Sequence, residues 1–332
     1  MNILHIFGNG FDLNLSLKTA YKDFLKYYLA QGSSNLNAVK ELKVEINSDF
    51  ENWSDLEAAL GVYSKNLDSV SEVDEVIFDI VENLSSYLMQ EETNFLASDI
   101  NRDTFVEDLL HPERYLNQRE LNKFNSWKHP IAQSAANSTQ TVVHILTFNY
   151  TTTVEKILGE NAKNLNLGKD EGREALIRSV EHIHGDLNGT PILGVNDTTQ
   201  ITNEKLSELR DVVEVFVKPE HNQSLGHLRD DYCDQQISSA NIICIFGSSM
   251  GATDRRWWEA IGKRLGDSCS LIIFVRGNRN SLVRAVVENR DKREIIDKFL
   301  WKAGIEEEKW EILRKNIYVV INREIFNLLE ST

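Results

Sequence analysis

The sequence predicts an α/β protein: a Rossmann-like parallel sheet carrying a large helical insertion. Three observations predict it. The chain opens on a short apolar run, Asn2 to Phe7, that ends in Gly8-Asn9-Gly10 before a helical pattern resumes. Three later β runs also end in small or polar residues, at Asn149-Tyr150-Thr151, His184-Gly185-Asp186 and Gly247-Ser248-Ser249. Residues from about 35 to 138 lack strand alternation and hold helical patterns instead. In a doubly wound sheet the carboxyl ends of the strands form one edge, and ligands bind in the crevice there. The expected organisation is a core of residues 1–34 and 139–332, interrupted by an insertion at 35–138.

Each element follows from its residues. The first strand leads into a turn without side-chain bulk at Gly8 and Gly10. Such a turn lets a backbone approach a phosphate or ribose and aims helix N–H groups at it. The full dinucleotide fingerprint is not met, because Leu13 stands at the third glycine position. Leu17, Ala20, Tyr21, Phe24, Leu25 and Tyr28 fall at helical spacing, so a helix is expected over Ser16–Gln31, ended by Gly32-Ser33-Ser34. Within the insertion, Leu56-Leu60-Tyr63-Leu67 and Val76-Ile80-Leu84-Leu88 are the clearest helical stripes. Between Asp49 and Glu57 a tryptophan, Trp53, is interleaved with acids. Two readings stand there: a helix start with Ser54 as cap and Glu57 completing a capping box, or acids facing the site.

The sheet pattern returns at Thr141–Phe148, followed by a helix from about Val154 to Leu158 and a short β run at Val180–Ile183. The stretch 195–238 is polar, with helical pieces and surface loop. Ile242–Phe246 is the plainest strand, followed by a helix over Asp254–Leu265 and a strand over Leu271–Val275. A long charged helix is expected at roughly 281–301, then a strand at Tyr318–Ile321 and a helix at Glu324–Leu329.

Composition narrows the function classes. Fifty-one acidic against 36 basic residues give a net charge of −15, which argues against a large electrostatic DNA-binding surface but selects no substrate. Cys233, Cys244 and Cys269 are widely spaced without a zinc pattern and read as reduced thiols of a cytoplasmic protein. No signal peptide is expected, since Met1-Asn2 runs directly into the first strand, and no apolar segment approaches the roughly 20 residues that span a bilayer.

The strand ends carry the candidate chemistry. Asn149 offers an amide able to hold water or a sugar hydroxyl, or else to cap the adjacent helix. His184, followed by Gly185, is suited to moving a proton near neutral pH, although a lone histidine also serves structure. His182 and His184 would share a face of a strand, which raises a metal site with no carboxylate motif beside it. Gly247-Ser248-Ser249-Met250-Gly251 matches the form of a nucleophile elbow with Ser249 at its centre. No histidine follows Ser249, which counts against a hydrolase triad in its usual chain order.

The combination Ile6-Phe7-Gly8-Asn9-Gly10-Phe11-Asp12-Leu13, Phe148-Asn149-Tyr150-Thr151, His182-Ile183-His184-Gly185 and Gly247-Ser248-Ser249 with Asp254 resembles the bacteriophage abortive infection AbiH family. Trp53 and Glu57 resemble that family's tryptophan–acid segment. The same order of motifs is similar, more distantly, to the SIR2 (sirtuin-like) fold. That resemblance implies binding of NAD, and in defence proteins of that type hydrolysis of NAD. It would make Gly8 and Gly10 the phosphate-turn glycines, Asn149 the motif asparagine and His184 the catalytic histidine. Gly247, Ser248 and Ser249 would form a second nucleotide loop, and Asn278 or Asn280 would stand near the adenine-side ribose. The sequence departs from that pattern in Asn9, in Phe11-Asp12 and in Thr151, where an acid is expected. The sirtuin zinc module is also absent, which argues against a protein deacylase.

The expectation is thus a cytoplasmic phage-defence effector whose core binds NAD or an ADP-ribose-like nucleotide and hydrolyses its N-glycosidic bond, requiring no further cofactor. Asn149 and His184 are the candidate catalytic residues; Gly8, Asn9, Gly10, Asp12, Gly247, Ser248, Ser249 and Asn278 are the candidate binding residues. Asn9 and Asp12, polar where dinucleotide oxidoreductases are not, point away from hydride transfer. The alternatives are a catalytically silent nucleotide sensor signalling through the insertion, and a metal-dependent nuclease or phosphoesterase using His182 and His184. A homo-oligomer or a defence-system partner protein is compatible with either class, and no membrane or strong nucleic-acid signal is present.

Overall fold

A computed structural model describes residues 1–32, 34–134, 140–159, 162–189, 191–276, 284–322 and 324–329. Its seven strands form one sheet: β1 (Asn2–Phe7), β2 (Gln140–Thr147), β3 (Leu165–Asp170), β4 (Arg173–His182), β5 (Ile242–Phe246), β6 (Ser270–Val275) and β7 (Ile317–Ile321). Their order is β3-β4-β2-β1-β5-β6-β7. Every neighbouring pair is parallel except β3 and β4. The chain winds outward from β1 through β2 to β4, then returns to lay β5 on the other side of β1. That reversal is the topological switch point of a doubly wound Rossmann-like sheet, as the sequence predicts.

The helices are α1 (Gly10–Asn14), α2 (Tyr21–Ala30), α3 (Asn37–Ser48), α4 (Leu56–Tyr63), α5 (Val70–Thr93), α6 (Arg102–Leu110), α7 (Gln118–Ser134) and α8 (Thr153–Leu158) before the second half of the chain. There follow α9 (Glu204–Ser207), α10 (Arg210–Phe216), α11 (Lys218–Ser224), α12 (Arg229–Ser239), α13 (Arg255–Arg264), α14 (Arg284–Lys302) and α15 (Glu307–Leu313).

Strand periodicity sorts the core. Ile3 and Phe7 of β1 point to one face of the sheet, where Phe105 and Leu109 of α6, Phe124 of α7 and Ile157 of α8 cover them. Leu4 and Ile6 point to the other, against Ile237 of α12, Trp258 and Ile261 of α13 and Phe299 of α14. Burial on both faces is why β1 and β5 read as nearly unbroken apolar runs. A third cluster stands apart from the sheet: α2 to α5 pack with Leu187, Leu193, Val195 and Phe216. The segment between β1 and β2 is therefore used twice, first as a helical cap and then, through α6 and α7, as a layer on the sheet.

Three expectations are corrected. The helix expected over Ser16–Gln31 begins only at Tyr21, as α2; between it and α1 runs a loop in which Ser16 has φ 68°. Asn9 holds that loop open: its Oδ1 accepts from Thr19 Oγ1 at 2.5 Å and its Nδ2 donates to the Thr19 carbonyl at 3.0 Å. The β run expected at Val180–Ile183 begins at Arg173, as one arm of a hairpin with β3. Its two-residue turn, Glu171-Gly172, has positive φ at both positions, 47° and 82°, which matches the twist of antiparallel strands. Residues 324–329 are a turn rather than a helix, with Phe326 at φ 53°. There Phe326 N donates to Asp108 Oδ2 at 2.7 Å and the Leu328 carbonyl accepts from Asn101 N at 2.9 Å.

Cys233, Cys244 and Cys269 are all buried free thiols. Among the described residues no helix is long and apolar enough to cross a membrane.

Candidate functional site

The carboxyl ends of β1, β2, β4 and β5 open onto one cleft of about 400 Å³. Gly8, Asn9, Gly10, Asp12, Asn149, His184, Gly247, Ser248 and Ser249 all line it. Asn278 and Asn280 lie outside the described residues. The helical cap closes the cleft from above with Tyr21, Asp55, Glu57, Leu84 and Leu88.

The glycines serve a purpose different from the one the sequence suggests. A Cβ on Gly8 would lie 2.7 Å from the Gly247 carbonyl oxygen, and one on Gly10 would lie 2.5 Å from Gly247 Cα. Gly247 itself has φ +71° and abuts Phe11 N in return. The Gly10 N–H donates to the Gly247 carbonyl at 2.8 Å. The missing side chains thus let two strand-end loops dock backbone to backbone across the switch point, and the Gly10 N–H is spent inside the protein rather than offered to a phosphate. With five residues, α1 also aligns few peptide dipoles toward the cleft.

Beside this joint sits Asp12, 1 % exposed. Its carboxylate accepts from Thr151 Oγ1 at 2.5 Å and Thr153 Oγ1 at 2.8 Å, tying α1 to the loop after β2. Thr151, where the SIR2-like pattern expects an acid, here holds one. Burial pushes the Asp12 carboxyl up to about 6, against the pull of the two threonine hydroxyls and the nearby Asn149 amide. Although close enough to be felt, the Asn149 amide makes no well-formed hydrogen bond: both its Nδ2 and its Oδ1 are buried without a partner. The reading of Asn149 as a helix cap is corrected accordingly, since α8 has no side-chain cap. Its backbone is clamped instead. His182 Nδ1 donates to the Asn149 carbonyl at 2.7 Å, while His182 Nε2 meets Glu155 at 3.0 Å. Burial opposes charge on His182, but Glu155 and the Asn149 carbonyl outweigh it and raise its pKa.

His184 heads a buried chain of charges. Its Nε2 is 2.7 Å from Asp254 Oδ1, which also accepts from Lys218 Nζ at 2.7 Å. Lys218 Nζ donates in turn to Glu57 Oε2 at 2.9 Å. Burial opposes the Asp254 charge, but Lys218 and His184 hold that carboxyl well below the usual range. An ionised carboxylate has no proton to give, so His184 donates from Nε2, and Nδ1 is left as the acceptor. That Nδ1 is buried without a partner. Burial also opposes charge on Lys218, yet Asp254 and Glu57 raise its pKa. Glu57 is raised, by burial first and by Asp254 as well, with Lys218 opposing.

Of the two readings left open at Glu57, acids facing the site is the one that matches its place in the cleft, whereas nothing in the sequence hints at Lys218. The cap of α4 is Asp55, whose Oδ1 accepts from Ala58 N at 3.2 Å, and Glu57 turns inward to Lys218 instead of closing a capping box on Ser54. The signal was available: Glu57 sits on the same helical face as Leu56, Leu60 and Gly61, all buried. Lys218 gave none, standing in a polar stretch at the start of a seven-residue helix. His182 and His184 do not converge, as each reaches a different carboxylate. No group of three His, Cys, Asp or Glu suited to a metal occurs among the described residues. In the loop after β5 the non-glycine residue with positive φ, 54°, is Met250 and not Ser249, so the strained serine of a nucleophile elbow is not reproduced.

Fold and strand ends define a Rossmann-like α/β protein with a charged, helix-capped cleft at its switch point. The family model for bacteriophage abortive infection AbiH matches residues 4–275, from β1 through β6 and so across all four strand ends, and the chain belongs to that family. Membership supports a role in bacteriophage abortive infection. No curated protein matches the chain.

Proposed function

We propose that the cleft binds NAD or a related nucleotide by its ribose and hydrolyses the N-glycosidic bond, as the effector step of phage defence. The observation that carries this reading is the pair of idle polar groups in the cleft: the Asn149 amide and His184 Nδ1, both buried and unpartnered. An unsatisfied buried group costs about 1–3 kcal/mol, so such groups are kept where a ligand completes them. A ribose offers adjacent hydroxyls that match an amide's paired donor and acceptor. His184 Nδ1, held as an acceptor by Asp254, takes the proton of the attacking water or of a hydroxyl, a contribution of about 10²–10⁴ in rate. Asp12 orients a hydroxyl.

The test is NAD loss and nicotinamide release by purified protein, wild type against His184→Ala and Asn149→Ala. Loss of turnover in both variants supports the mechanism, and equal turnover in all three removes it. A second reading, a silent sensor, is favoured by one chain of three contacts: Glu57 of the helical cap reaches His184 through Lys218 and Asp254. Calorimetric binding of ADP-ribose or NAD without turnover would select it.

A further inference from the structure

The charge of the cleft limits which part of a nucleotide belongs in it. Asp12, Asp55, Glu57 and Asp254 line it, and among the described residues no lysine or arginine does. Three described cations that bond to residues in or beside the cleft are already engaged, one of them with two of its acids. Lys218 is bound to Glu57 and Asp254, Lys302 donates to the Ser249 and Met250 carbonyls, and Arg276 donates to Asn14 Oδ1 at 2.6 Å. The docking of Gly8 and Gly10 on Gly247 also leaves that joint filled by backbone. Lys218 offsets part of the charge of Glu57 and Asp254, but a pyrophosphate placed here would still meet Asp12 and Asp55, which have no ion pair among the described residues. Two independent features mark the cleft as a ligand site of another charge type. Asn149, 7 % exposed, has an amide without partners in it, and the rings of Tyr21, Phe148 and Tyr150 line it, as suits a flat cationic heterocycle.

We infer that the cleft is a subsite for an N-ribosylated cationic base, such as a pyridinium nucleoside or that end of NAD, and that phosphates add nothing to binding in it. The inference rests on the N-glycosidic reading above and names its substrate class. The chemistry is self-consistent. Water oxygen bonds to C1′ as the C1′–N bond breaks, and the electron pair leaves with nitrogen, so the base departs neutral without an acid to protonate it. The water's proton goes to His184 Nδ1. Positive charge moves from the base toward the ribose in the transition state, where the cleft's carboxylates face it.

The experiment compares nicotinamide riboside, NAD and ADP-ribose with the full-length protein, by calorimetry at low and high salt and by kcat/KM for the two cleavable compounds. The riboside should bind about tenfold or more tighter than ADP-ribose, weaken as salt rises, and be cleaved at least as efficiently as NAD. Asp55→Asn, which keeps a good helix cap, should narrow the riboside to ADP-ribose ratio by about threefold. ADP-ribose binding as tightly as the riboside, or an unchanged ratio in Asp55→Asn, would overturn the inference and leave the nucleotide reading standing. Binding and cleavage of none of the three would overturn both.

Discussion

His184 and Asp254 share a 2.7 Å hydrogen bond that fixes which imidazole nitrogen carries the proton. Asp254 holds its charge because Lys218 lies on the same oxygen. Asp254→Asn keeps the shape but removes the anion that orients and supports the imidazole. NAD hydrolysis should fall by about 10²–10³ in kcat with little change in KM, read by steady-state nicotinamide release. A KM effect alone would mean that Asp254 serves binding rather than proton transfer.

Lys218 bridges the buried Glu57 and the half-buried Asp254. Replacing it by methionine leaves Glu57 and Asp254 facing each other without compensation, which should cost about 3–5 kcal/mol in chemical denaturation. Adding Glu57→Leu should recover part of that loss, since an apolar pair is less costly than a lone buried charge.

Asp12 predicts a signed pH effect. Its carboxyl is raised from 3.8 to about 6 in the folded state, chiefly by burial, so the fold favours the protonated form. The stability it contributes is complete below pH 3.8 and lost as pH rises through 6. Asp12→Asn removes the cost of the buried charge. It should therefore be more stable than wild type at pH 7.5, by on the order of 2 kcal/mol, with the advantage vanishing between about pH 6 and 4. The same variant should lose NAD cleavage, which separates the residue's cost in stability from its use in function.

The loop joint predicts a steric effect. Gly10→Ala drives a methyl onto Gly247 backbone and should destabilise by about 1–3 kcal/mol or more. Gly247→Ala adds the strain of a side chain at φ +71°, of order 1–2 kcal/mol. Gly32→Ala, which meets nothing within 4 Å, should stay within about 0.5 kcal/mol of wild type by thermal denaturation.

The four strand ends were legible because a strand buried on both faces writes itself as an apolar run, and its end as a sudden polar residue. Gly8 and Gly10 were legible as a tight turn but not as a docking joint, because the partner, Gly247, is a tertiary fact. Glu57 is legible only as one of two readings, because Ser54 followed three residues later by an acid also fits a cap. Lys218 was hidden by its surroundings, since nothing local marks a lysine whose partners lie 36 and 161 residues away. The β3–β4 hairpin escaped because Leu165–Asp170 is a half-exposed edge strand with little apolar alternation.

The bond between Asp12 and Thr151 spans 139 positions of chain, and that between Lys218 and Glu57 spans 161. A ribosome must therefore make Thr151 before the first of these contacts can form and Lys218 before the second. Truncated products and stalled nascent chains carry His184 without Asp254 to orient it. If the cleft acts as proposed, late assembly is a safeguard written into connectivity, because a fragment that ends before Asp254 lacks the partner that orients His184.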